Sequence, residues 1–140
     1  MEPLSISVSI TALLHVTKSI IRYLRDVHDA PDDRMKFAIE VSNLDMLLTH
    51  LQARVTQAVE AKREAPWFAA VLALGERDGP LDQLKSHLDQ LALKLRPAKG
   101  LNGIKNRVTW VLDKTEVMVI LSKIERTKTL VTPVLTDDLL

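Results

Sequence analysis

The sequence contains no cysteine. Disulfides, thiolate metal sites and cysteine nucleophiles are thereby excluded, and the composition suits a reducing compartment. Glycine is scarce, with 4 residues in 140, and Trp, Tyr and Phe together make up only 4%. Sheets draw on aromatic and β-branched residues, whereas the abundant Leu, Ala and Lys of this chain favour helices. An excess of charge of one sign is also missing: 19 basic and 18 acidic residues leave a net charge of +1. A general nucleic-acid binder shows a basic excess or a dense basic patch, so no nucleic-acid partner is expected. The length is that of one domain.

Long hydrophobic runs are lacking as well. The uncharged stretch from Pro3 to Thr17 covers 15 residues. As a helix it rises roughly 22 Å, short of a hydrocarbon core of about 30 Å. A secretion signal is not expected either. Glu2 stands where a positive start belongs, and no small-residue cleavage site follows the apolar stretch. Catalytic signatures are equally sparse. His15, His28, His50 and His87 show no metal-ligand spacing, and Gly75 and Gly79 sit in a turn without a phosphate-loop lysine. The serines lack a nucleophile elbow. The pairs Asp32/Asp33 and Asp137/Asp138 are explained by helix starts and solvation. No catalytic residue, cofactor or metal ligand is therefore expected, and the chain reads as a non-enzyme.

What the chain does have is an unusual beginning. Leu4, Ile6, Val8, Ile10, Leu13 and Leu14, with Ala12 and Val16, spread around a helical wheel at 100° per residue. A helix that is apolar all round is either central to a core or meant for lipid. The pattern then changes. Ile20, Ile21, Leu24 and Val27 gather on one side, and Lys18, Arg22 and Arg25 on the other. This basic face is either a solvated surface with ion pairs or a lipid head-group contact, worth up to about 1 kcal/mol per residue.

The remaining pattern is helical. A first helix is expected over about residues 4–27, with Ser5 as N-cap and a stop at Asp29-Ala-Pro31. A second begins near Pro31 and runs to about Glu64. Its Phe37, Val41, Leu44, Leu48, Leu51, Val55 and Ala58 step by four and three, as antiparallel helix packing requires. A short helix around Trp67 lids one end. Leu81, Leu84, Leu88, Leu91 and Leu95 mark a third main helix after the turn at Gly75-Glu-Arg-Asp-Gly-Pro80. A fourth covers about residues 104–131, is broken near Trp110 to Asp113, and is ended by Pro133. The fold expected is all-α: an antiparallel helical bundle of four main helices plus the short Trp67 helix. It would form one domain over residues 1–135, with 136–140 starting a linker.

Several phrases carry a family likeness. Met1-Glu-Pro-Leu-Ser5 is followed by Ile10-Thr-Ala-Leu-Leu14, then Tyr23-Leu-Arg-Asp-Val27 and Glu40-Val-Ser-Asn-Leu44. Trp110, Lys114-Thr-Glu-Val117 and Leu121-Ser-Lys-Ile-Glu-Arg-Thr-Lys128 follow in order. Together they resemble the fungal HeLo-like N-terminal domains of NACHT/STAND receptors and related cell-death proteins. The resemblance implies a helical effector module of programmed cell death, cytoplasmic at rest and at the plasma membrane when activated. It implies self-association and a signalling receptor or amyloid-motif partner acting through a region outside this chain. It implies anionic lipids as the target, with Leu4, Ile6, Val8, Ile10, Leu13 and Leu14 inserting and Lys18, Arg22 and Arg25 on head groups. Burying those six side chains is expected to return about 10 kcal/mol. The rival expectation is a non-lytic interaction and oligomerisation domain of a receptor, in which the first helix stays buried.

Overall fold

A computed structural model describes residues 3–25, 32–60, 65–95 and 113–136. It contains five helices: α1 (Pro3–Arg25), α2 (Asp32–Glu60), α3 (Ala65–Leu74), α4 (Pro80–Leu95) and α5 (Lys114–Thr136). Among the described residues there is no strand. The fold is all-α.

One spacing rule builds the core. In α1 the buried positions are Ile6, Ile10, Leu13, Thr17, Ile20 and Leu24. In α2 they are Phe37, Val41, Leu44, Leu48, Leu51, Val55 and Ala58, as the sequence pattern predicts. Leu81, Leu84, Leu88, Leu91 and Leu95 fill the same role in α4. Val117, Ile120, Ile124, Thr127, Val131 and Val134 do so in α5. Each series alternates steps of three and four, which keeps one narrow stripe pointing inward. Each fully buried Leu or Ile contributes about 1.5–3 kcal/mol. α1 packs on α2 and α4, and α5 packs on the same two helices, so the four close a ring. The short α3 rests on α5 and α1. Ser7 and Thr11 meet Gln52, Lys18 meets Asp45, and Leu24 meets Arg34. The falling partner numbers show that α1 and α2 run in opposite directions.

Three sequence expectations are corrected. First, α1 begins at Pro3, the favoured first helical position for proline, so Ser5 lies inside the helix and is not its cap. Second, α1 is not apolar all round: its core residues form a single stripe, and Val8 lies outside it with 69% of its surface exposed. Third, Pro133 does not end the last helix, which continues to Thr136. Val134 is buried there, and its carbonyl accepts a hydrogen bond from Trp67 Nε1 at 3.1 Å. That carbonyl lies in the final turn, where intrahelical donors run out. The Trp67 ring packs edge-on against Phe68, with centroids 5.3 Å apart. Residues 137–140 of the expected linker, and 104–112 of the expected helix, lie outside the described residues.

The turn between α3 and α4 has its own logic. Asp78 takes a positive φ of 59°, and its N–H is met by Asp82 Oδ2 at 3.1 Å. Gly79 comes next because a Cβ there would stand 2.8 Å from the Glu76 carbonyl oxygen. Its own carbonyl accepts from the Gln83 N–H and opens α4.

Candidate functional site

The residues singled out in the first helix do not form one surface. Ile6, Ile10 and Leu13 are in the core at 0–1% exposure. Leu14 packs half-buried beside them, and Val8 faces solvent. Leu4 lies in the first turn of α1, and its side chain is outside the described residues. The return of about 10 kcal/mol expected on lipid burial is set against the contacts that Ile6, Ile10 and Leu13 already make in the bundle. For side chains already buried, lipid replaces protein contacts and adds little.

Lys18, Arg22 and Arg25 do share an exposed edge. Lys18 keeps 62% of its side chain in water, with Nζ 3.4 Å from Asp45 Oδ1. Arg22 Nη2 donates to Ser19 Oγ at 3.4 Å. Among the described residues, no carboxylate forms an ion pair with Arg22 or Arg25. Both arginines occupy the last turn of α1, where the helix dipole favours cations.

The α1–α2 seam holds polar contacts that the spacing of apolar residues does not reveal. Gln52 Nε2 donates to Ser7 Oγ at 2.8 Å and to Thr11 Oγ1 at 3.1 Å. Arg34 Nη1 donates to the Leu24 carbonyl at 2.8 Å, tying the end of α1 to the start of α2. Gln52 Oε1 and Arg34 Nε are buried without a hydrogen-bond partner.

Three hydroxyls of α1 donate to the helix itself. Thr11 donates to the Ser7 carbonyl at 2.9 Å, Thr17 to that of Leu13 at 2.8 Å, and Ser19 to that of His15 at 3.1 Å. This back-bonding is how Ser and Thr are carried in apolar surroundings. It explains why Thr17 sits at 0% exposure in the core. The sequence reading missed Thr17, although the steps from Leu13 to Thr17 to Ile20 continue the stripe.

Among the described residues, no three His, Asp or Glu side chains group as metal ligands. No described helix is long and apolar enough to cross a membrane. No protein-family model, curated protein or solved structure matches the chain.

Proposed function

We propose that this chain is a latent membrane-targeting effector domain of the HeLo-like kind, arranged as an antiparallel four-helix bundle with α3 as its lid. At rest it is cytoplasmic, with α1 packed on α2 and α4. Self-association, driven by a receptor or amyloid-motif partner outside this chain, brings several copies of α1 to an anionic plasma membrane. There the helix lies in the interface and permeabilises it. The observation that carries this reading is the internal pairing of three hydroxyl donors of α1. From Thr11 to Ser19 its hydroxyls donate to its own backbone, so the helix can exchange protein for lipid with those donors still paired. The basic edge Lys18, Arg22 and Arg25 follows this neutral segment. Each such cation adds about 1 kcal/mol of attraction at an anionic surface.

A second reading has its own support. Ile6, Ile10, Leu13, Ile20 and Leu24 are the core of the bundle at 0–1% exposure. A helix held so fully favours a non-lytic oligomerisation domain of a receptor, with α1 permanently buried.

Liposome binding and dye release separate the two. Ile10→Asp and Leu13→Asp, natural choices from sequence, place a charge in the core and unfold the bundle. Val8→Asp changes an exposed position and spares the fold. Under the membrane reading it abolishes leakage, and Lys18→Ala/Arg22→Ala/Arg25→Ala weakens binding to anionic vesicles by about a hundredfold. Folded variants that bind and leak like wild type overturn the membrane reading. An absence of lipid binding by clustered wild type favours the receptor domain.

A further inference from the structure

The outer face of α2 repeats the core spacing on the wrong side of the helix. Met35, Ile39, Ser42, Met46, Thr49 and Ala53 follow one another in steps of four and three, and all six are exposed. Met35, Ile39 and Met46 leave 63%, 54% and 59% of their surface in water. Each lies two residues, or about 200° around the helix, from a core position such as Phe37, Val41 or Leu48. The stripe therefore lies on the outer face of α2, with Ile39 also bordering the groove to Leu121 and Glu125 of α5. A solvent-facing ridge ordinarily carries charge, and this one carries none. Thr49 Oγ1 already donates to the Asp45 carbonyl at 2.8 Å, so covering Thr49 leaves its own hydroxyl donor paired.

The sizes of these residues identify the occupant. A parallel copy would set Met35 on Met35 and Ala53 on Ala53, crowding one end and leaving gaps at the other. An antiparallel copy related by a two-fold axis sets Met35 against Ala53, Ile39 against Thr49 and Met46 against Ser42. Each pairing occurs twice, and every large side chain meets a small one. Charge points the same way. The flanking Lys36 residues of the two copies would stand about 24 Å apart, beyond the screening length of about 8 Å. In a parallel pair they would be neighbours. Asp45 lies near the two-fold axis, but its carboxylate is 20% exposed and turned to Lys18 of its own copy.

We propose that the outer ridge of α2 is a docking face for a second copy of this chain, joined antiparallel about a two-fold axis. This pairing involves no lipid and stands apart from the fate of α1. The absence of cysteine makes it directly testable, since introduced thiols have no competitors. Met35→Cys protein mixed with Ala53→Cys protein should form a disulfide-linked dimer on mild oxidation, and neither should do so alone. A linked dimer of Met35→Cys with itself overturns the antiparallel arrangement. Sedimentation of the cysteine-free protein without lipid should show a concentration-dependent dimer. The double variant Ile39→Glu/Met46→Glu should raise the dissociation constant by about a hundredfold or more with helicity unchanged. Wild type that stays monomeric, or a double variant that still dimerises, overturns the proposal.

Discussion

Gln52 illustrates how a conspicuous polar contact can matter less than a silent apolar one. Its amide nitrogen bridges Ser7 and Thr11, but its amide oxygen is buried and unpaired. Each hydrogen bond contributes about 0.5–1.5 kcal/mol net, whereas a buried orphan acceptor costs about 1–3 kcal/mol. The two effects nearly cancel. Gln52→Leu, which keeps the volume and removes the orphan, should therefore leave the urea midpoint unchanged or raise it. Leu48→Ala, at a residue with 0% exposure, should lower stability by about 2–5 kcal/mol. The reverse ranking would mean that polar contacts, not packing, hold α1 to α2. The apolar partners were legible in the sequence because their spacing is visible. The Gln52 contacts were not, because a pairing 41 and 45 residues apart leaves no local mark.

At the scale of the element, α5 shows where a local rule gives way. Proline lacks an N–H and clashes with the preceding turn, so Pro133 reads as a stop. The stripe nevertheless continues from Val131 to Val134 on the core spacing, and packing there holds the last turn together. The step of three across the proline was present in the sequence and carried more weight than the proline did. Trp67 fastens this turn from α3, placing an indole donor on a helix-end carbonyl. Trp67→Phe keeps most of the apolar contact and loses that bond. It should cost about 1 kcal/mol in a thermal or urea melt. The same change should raise amide exchange in residues 131–136 above that in the middle of α5. Uniform protection along α5 in the variant would show that the bond does not secure the turn.

Across the whole molecule, α2 and α5 are linked by one cluster of charges. Lys128 Nζ donates to Glu40 Oε2 at 2.8 Å and to Glu125 Oε1 at 2.9 Å. The Glu40 carboxylate, and then that of Glu125, raise the Lys128 ammonium above its ordinary 10.5. The Lys128 hydrogen bond holds Glu125 below its ordinary 4.5. A depressed Glu contributes stability above its unfolded value and loses it as pH falls. A raised Lys contributes stability below its unfolded value and loses it as pH rises. Stability from this cluster should thus be level between about pH 5 and 10 and decline on both sides. Because the groups are exposed to solvent, the effect is small and shrinks in high salt. Lys128→Met should flatten both shoulders of a melting-temperature profile. Shoulders that persist in the variant would assign the dependence to other groups. The all-helical fold was readable from the apolar stripes of α2, α4 and α5, while the stripe of α1 and the identity of the touching charges depended on the third dimension.

The regular spacing has one more geometric outcome. A straight α-helix turns once in 3.6 residues, so a stripe repeating every seven residues drifts by about 20° per repeat. The stripe of α1 is kept from Ile6 to Leu24 and that of α2 from Phe37 to Ala58. Neighbouring helices stay in register with such stripes only by coiling around each other in a left-handed sense. The outer ridge of α2 drifts at the same rate. Any helix laid along it must follow the same left-handed path, so the handedness set inside the bundle is printed on its surface.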